Sequence, residues 1–384
     1  MKKLVVFCIS LLFLAFSATP TFAIEDPTKI PNNKVGVHIL FTSELQQAAK
    51  IINSNGGDWG YVTIPIQSGD KDIKKWQAFM DQAKQLHIIP IIRLATEGDY
   101  FNTKVWRKPT PADVLDFANF LNSLNWPVKN RYIEVYNEVN RDDEWGGSAN
   151  ASEYAQLVSY AVTVFKSESP DFFIISAGMD NASINGNGAI NEYTFFNQMN
   201  RAVPGIFSQI DGIGSHSYPN PGFSQPPTSQ TVESIASFKY ESNLIDSLAN
   251  RQLPIFITET GWSRNSLSDN TIGSYYATAF TSVWNDSRII AVTPFILEAG
   301  GGPFEQFSLL TPGGADTPVS LAIKNLSKQK GKPTNNPSVL AAETTLKDDS
   351  LPVKWYGKSD KPNYSAFVLH ITKVLGKYFL HLNY

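Results

Sequence analysis

From Val35 onward the sequence alternates short runs rich in β-branched residues with longer stretches whose apolar residues recur three and four positions apart. No other feature restricts the fold so tightly, because a strand followed by an amphipathic helix, repeated, produces a parallel sheet covered by helices. The strand-like runs are Val35–Leu40, Tyr61–Ile66, Ile88–Ala95, Tyr132–Asn137, Phe172–Ala177, Ile210–His216, Ile255–Glu259 and Ile289–Leu297. Eight parallel strands close such a sheet on itself, so the expected class is α/β and the expected architecture a (β/α)8 barrel. The intervening segments agree. Ile73, Trp76, Phe79, Met80 and Ala83 share one helical face, as do Val114, Leu115, Ala118 and Leu121, and Pro111 after Thr110 reads as a helix start.

The two ends of the chain depart from this alternation. Lys2 and Lys3, an apolar run from Leu4 to Ala18 and the ending Thr21-Phe22-Ala23 follow the order of an export signal, so residues 1–23 are expected to be removed and the remainder secreted. The run is shorter than the roughly 20 apolar residues that span a bilayer. No firm membrane association is expected beyond this signal. The sole cysteine, Cys8, lies inside it, which leaves the exported part without disulfides or cysteine-ligated metal. The barrel is expected over residues 24–335, with a short C-terminal appendage over 336–384. That appendage reads as strands or a helix packed on the barrel, as a remnant of an accessory module, or as an amphipathic surface element in which Lys373, Lys377 and His381 interrupt apolar residues.

A net charge of −3 without a basic stripe lacks the electrostatic footprint of a nucleic-acid binder. A neutral substrate fits better, and Trp59, Trp106, Trp145 and Trp262 are available to stack on sugar faces, with Trp126 and Trp284 read as packing residues. The sequence contains no phosphate-binding glycine loop, Gly-x-Ser-x-Gly elbow or His-Glu-x-x-His pattern. Neither a cofactor nor a metal is expected.

In such a barrel, catalysis is carried by the carboxyl ends of the strands and the loops beyond them. Strand four reads Tyr132-Ile133-Glu134-Val135-Tyr136-Asn137-Glu138-Val139-Asn140, and strand seven reads Pro254-Ile255-Phe256-Ile257-Thr258-Glu259-Thr260-Gly261-Trp262. Each ends on a glutamate, and the two strands lie on opposing sides of an eight-membered ring, so their tips can face each other across the mouth. Hydrolysis of a glycoside requires one carboxyl group to protonate the departing oxygen and another to attack or support the oxocarbenium-like carbon.

Over roughly residues 35–330 this pattern resembles the clan A glycoside hydrolases, a TIM-barrel superfamily of retaining β-glycosidases and β-glycanases in which Asn-Glu ends strand four and a second glutamate ends strand seven. The resemblance implies that Glu138 is the acid/base, Glu259 the nucleophile and Asn137 the amide that hydrogen-bonds the sugar 2-hydroxyl. It extends to strand six, Gly214-Ser215-His216-Ser217-Tyr218-Pro219, because clan members carry a similar His-x-Tyr whose tyrosine touches the nucleophile. His216 and Tyr218 are therefore expected in the site. It departs at strand eight, Thr293-Pro294-Phe295-Ile296-Leu297-Glu298, where clan members often place a tryptophan platform. Here Glu298 and the Gly300–Phe304 loop are expected to bind a hydroxyl, or Trp262 to supply the stacking.

Arg93 closes strand three and, if buried, needs a carboxylate partner. It suits orienting Glu259 or contacting a sugar hydroxyl, and Glu134 is an equally good partner inside the barrel. His38, at the end of strand one, suits either a sugar contact or a structural hydrogen bond. Partial burial and neighbouring negative charge are expected to raise the pKa of Glu138. The expected protein is a secreted glycoside hydrolase acting with retention on β-linked oligosaccharides, polysaccharides or glycosides. A catalytically inactive carbohydrate-binding barrel and a transglycosylase would carry the same features.

Overall fold

The structure, a computed structural model, describes residues 24–335. The expected export signal at 1–23 and the appendage at 336–384 lie outside the described residues. Eight strands follow in order: β1 (Gly36–His38), β2 (Gly60–Gln67), β3 (Ile88–Ala95), β4 (Arg131–Val135), β5 (Phe172–Ser176), β6 (Ile213–His216), β7 (Ile255–Glu259) and β8 (Ile289–Val292). The helices between and after them are α1 (Leu45–Ile52), α2 (Ile73–Gln85), α3 (Pro111–Asn122), α4 (Ala151–Glu168), α5 (Glu192–Ala202), α6 (Ile206–Gln209), α7 (Ser237–Ala249), α8 (Asp269–Thr278) and α9 (Pro318–Asn325). Two of them, α5 and α6, follow β5, and every other strand has one.

The strands pair in two parallel arcs, β1 to β5 and β6 to β8. Short seams join the arcs into a (β/α)8 barrel. Between β8 and β1 there is a single bridge, Val35 to Val292, with the Val292 amide donating to the Lys34 carbonyl at 2.8 Å and that of His38 to Pro294 at 3.0 Å. Between β5 and β6 a bridge pairs Ile175 with Gly212, and the Ser176 amide donates to Gly212 at 3.2 Å.

Alternation along each strand separates two apolar layers. Val62, Ile64, Ile92, Ile133, Ile174 and Ile257 pack outward with helix residues such as Trp76, Phe79 and Phe117. Tyr61, Ile89, Ile91, Tyr132, Phe173 and Phe256 form a separate cluster that fills the barrel floor. Two residues further along the inner face, Ile91 gives way to Arg93 and Tyr132 to Glu134, and these two are register partners. The interior thus changes from apolar to charged toward the carboxyl ends. Thr258 crosses it to donate to Glu134 Oε1 at 2.6 Å.

Helix starts are fixed locally. Thr110 accepts from the Asp113 amide at 3.3 Å while the Asp113 carboxylate accepts from the Thr110 amide at 2.7 Å, a reciprocal cap ahead of α3. The last described residues fasten the opposite face of the barrel, with Gly331 N donating to Asp58 O and Lys129 N to Thr334 O, each at 2.8 Å.

Several strands are shorter than the sequence pattern suggests, β1 and β6 by three residues each, and two of them show why. β4 stops at Val135 because Tyr136 and Glu138 take left-handed backbone angles, φ 69° and 37°. β8 stops at Val292 because the following backbone turns to other partners, among them Leu297 N donating to His38 O at 3.0 Å. Among the described residues, no helix is long and apolar enough to cross a membrane.

Candidate active site

A cleft opens over the carboxyl ends of the strands, and Arg93, Asn137, Glu138, Tyr218 and Glu259 line it. One carboxylate oxygen of Glu138, one of Glu259 and a ring nitrogen of His216 lie within 4.8 Å of one another. The two glutamates come from different arcs of the barrel and meet at its mouth.

Glu259 ends β7 and is buried. The Tyr218 hydroxyl donates to its Oε2 at 3.0 Å, and the Arg93 guanidinium donates to its Oε1. Arg93 Nη1 also donates to Asn137 Oδ1, leaving the Asn137 amide nitrogen as its remaining donor. Of the two partners open to Arg93 on sequence grounds, the hydrogen bonds therefore go to Glu259. Burial opposes the charge on Arg93, but Glu259 and Glu134 outweigh it and hold the guanidinium pKa above its ordinary value. Glu134 is fully buried and accepts from Thr258 and from the Gly178 amide, the latter at 3.2 Å.

Glu138 sits just past β4 in a backbone conformation uncommon for a side-chain-bearing residue. Its amide donates to Gly178 O at 3.0 Å and its carbonyl accepts from Arg141 N at 2.9 Å, so the turn is held from both sides. His216 Nδ1 lies 3.1 Å from Oε1, and Arg141 Nη1 donates to Oε2 at 3.1 Å. Arg141 also reaches Asp143 at 2.6 Å and Asp180 at 3.9 Å. Burial would raise the Glu138 pKa, but the hydrogen bond from His216 and the charge of Arg141 together outweigh it, and the net shift is downward. This is opposite to the sequence expectation, which counted nearby negative charge and missed the two cationic partners.

His216 is fully buried. Burial alone would discharge it, but Glu259, Glu138 and Glu134 lift its pKa to about 9, so it is an imidazolium at neutral pH. Gly178 makes room for the ring, since a Cβ there would stand 2.1 Å from His216 Cδ2. His38 takes the opposite state. Burial, then Arg93 and His216, push its pKa well below the ordinary value. Its Nε2 lies 3.5 Å from Glu259 Oε1, and its ring meets Phe295 edge-on at 5.1 Å. With no exposed surface, His38 supports the floor beneath Glu259 and does not reach a sugar.

Glu138, His216 and Glu259 have the spacing of a metal-ligand set. The imidazolium would have to give up a ring proton to bind a metal there, which makes any such binding weaken as pH falls.

Two residues proposed for substrate contact lie elsewhere. Trp262 is in the core against Tyr276 and Trp284, its Nε1 donating to Gln225 O at 2.8 Å. The indole is buried and does not line the cleft, so it cannot act as a platform. Glu298 accepts from Gly313 N at 2.9 Å and pins the loop after β8. In their place Trp106 and Tyr100, from the loop after β3, and Phe295 and Phe304, after β8, line the cleft. Phe101 and Phe304 touch between these two loops, their ring centroids 5.9 Å apart. An aromatic ring therefore does stand past β8, supplied by Phe295.

Sequence reasoning missed Arg141 and Glu144, which line the same cleft. The run Arg141-Asp142-Asp143-Glu144, directly after the Asn-Glu pair, was the available signal, since loops after barrel strands carry function.

Neither a family model nor a curated protein matches the sequence. Solved structures do match. A family 39 glycoside hydrolase from Bacteroides cellulosilyticus WH2 aligns at a TM-score of 0.53 and 16% identity, over 78% of this chain and 64% of that one. This chain thus spans less than two thirds of that protein. A GH39 β-xylosidase from Caulobacter crescentus aligns at 0.52 and 14%, covering 77% and 72%, and a GH128 endo-β-1,3-glucanase from Sorangium cellulosum at 0.51 and 14%, covering 76% and 98%. The chain is a (β/α)8 barrel whose neighbours among solved structures are glycoside hydrolases.

Proposed function

We propose that this protein hydrolyses β-glycosidic bonds with retention of configuration, with Glu259 as nucleophile and Glu138 as acid/base. The observation that carries the reading is the spacing of the two glutamates, whose nearest carboxylate oxygens lie within 4.8 Å. Retaining glycosidases hold their carboxyl groups about 5–5.5 Å apart, and inverting ones about 6.5–9.5 Å, to admit a water. Arg93 and Tyr218 donate to the two oxygens of Glu259 and fix its direction. The substrate is a neutral β-linked glycan or glycoside, as in the names of the β-xylosidase and endo-β-1,3-glucanase neighbours. Export by the signal read at residues 1–23 belongs to the same proposal.

In the first step Glu259 attacks the anomeric carbon, the glycosidic C–O bond breaks, and Glu138 delivers its proton to the departing oxygen. In the second, Glu138 takes a proton from water, whose oxygen displaces Glu259. Glu138 must first acquire that proton against His216 and Arg141. A sugar oxygen inserted at Oε2 displaces Arg141, which keeps charge compensation through Asp143 and Asp180, and removing that cation lets the carboxyl pKa rise.

Azide rescue tests the assignment. With an activated aryl β-glycoside, Glu138→Ala should form the glycosyl-enzyme and turn it over slowly until azide attacks it, giving the β-azide. Glu259→Ala should give the α-azide by direct displacement. The same anomer from both variants, read by proton NMR, would overturn the roles.

A further inference from the structure

Glu144 is a third glutamate in the cleft, and nothing above gives it a task. The chain on both sides of it is fixed. The Asp143 carbonyl accepts from Trp106 N at 2.7 Å, and Trp145 is buried with its Nε1 on Glu153 at 3.1 Å. The cations facing Glu144 are already engaged, Arg93 by Glu259 and Asn137, and Arg141 by Glu138 and Asp143. Among the described residues no hydrogen-bond donor reaches the Glu144 carboxyl, and the charges acting on it are Glu138, Arg93, Arg141 and Asp143. Lys104 and Arg107, after β3, and Asp180, after β5, line the same cleft.

A carboxylate in that position would be desolvated and unpaired beside the negative Glu138, so the group keeps its proton. Burial first, and Glu138 second, push its pKa up to about 8. The cleft therefore offers, next to the Glu138 carboxyl, an O–H donor and a carbonyl acceptor with no protein partner.

We propose that Glu144 is a specificity-determining residue that binds a hydroxyl of a neutral sugar through its un-ionised carboxyl group, donating from O–H and accepting at C=O. The assignment rests on the reading of the cleft as a carbohydrate site. A uronate would bring a negative charge against the ionised Glu138, so neutral glycans are the class selected. Affinity is full while Glu144 is protonated and falls as pH rises through about 8.

The test is calorimetric titration of neutral β-glucan, β-xylan and β-mannan oligosaccharides into the Glu259→Gln protein, which cannot consume them, at pH 6 and pH 9. The expected result is binding at pH 6 that weakens about tenfold at pH 9, the scale of one hydrogen bond to a buried polar group. Adding Glu144→Gln, which keeps a neutral donor and acceptor, should retain affinity at pH 6 and remove most of that pH dependence, the remainder being that of His216, which also titrates in this range. Adding Glu144→Ala should cost about tenfold at pH 6, with an unchanged melting temperature. Unaltered affinity in Glu144→Ala, a pH dependence undiminished in Glu144→Gln, or no binding of any glycan would overturn the proposal. Binding that depends on Glu144 in a chain whose unsubstituted form turns over no glycoside would instead remove the hydrolase reading and leave this one standing.

Discussion

At the scale of single residues, Arg141 decides how the acid/base candidate can work, because it holds Glu138 ionised in the open cleft. Replacing it by glutamine removes a cation 3.1 Å from Oε2, so the Glu138 pKa should rise. The basic limb of the kcat/KM profile should then move about one unit to higher pH. An unmoved limb in a pH-rate series would show that another group is the acid. Gly178→Ala is the complementary change, since its methyl group would enter the space of the His216 ring. It should lower kcat at least tenfold by displacing the imidazolium from Glu138, measured with an aryl β-glycoside. The glutamates themselves could be found in the sequence because each ends a β-rich run. For Arg141 and Glu144 the sequence offered only the charged run after the Asn-Glu pair, because which of its side chains enter the cleft depends on the turns at Tyr136 and Glu138, whose left-handed angles follow no residue preference. Trp262 was misplaced for a related reason. Its distance along the chain from Glu259 is short, but the side on which the loop leaves the barrel is set by packing against Tyr276 and Trp284.

At the scale of elements, all eight strands were legible, because a strand buried on both faces must be a nearly continuous apolar run. Their ends were less so wherever backbone hydrogen bonds leave the ladder, as after Val135 and Val292. The aromatic rings that line the cleft come from loops and not from Trp262, so the two kinds of ring should respond differently to truncation. Trp262→Ala removes a fully packed core side chain and should destabilise by about 3–5 kcal/mol, measured by denaturant unfolding. Trp106→Ala, at the cleft, should raise KM with little change in stability. Between α5 and α7 the fold stores a pair of carboxyl groups, Glu192 and Glu241, both buried. Burial raises the pKa of both, Glu241 to about 7. A raised carboxyl pKa favours the folded state below the ordinary value of 4.5, and that advantage is lost as pH rises toward 7. Glu192→Gln should therefore raise the melting temperature by several degrees at pH 8 and by less at pH 5, which paired thermal scans can read.

At the scale of the whole molecule, the described chain carries its eight strands, its floor and both glutamates before Asn336. A chain ended after Asn335 should keep its melting temperature and activity. One ended after Leu326 should lose stability, because the contacts of Gly331 with Asp58 and of Thr334 with Lys129 would go with it. The two seams have a different consequence. Arg93, Asn137 and Glu138 ride on the five-stranded arc, and His216, Tyr218 and Glu259 on the three-stranded one. The gap between Glu138 and Glu259 is therefore spanned by isolated bridges and a few backbone hydrogen bonds, in place of the longer ladders within each arc, and is the most compliant dimension of the site. Thermal breathing of one arc against the other would spoil the reaction distance while each arc stayed folded, so on warming, turnover should fade at temperatures where near-ultraviolet circular dichroism still reports an intact interior.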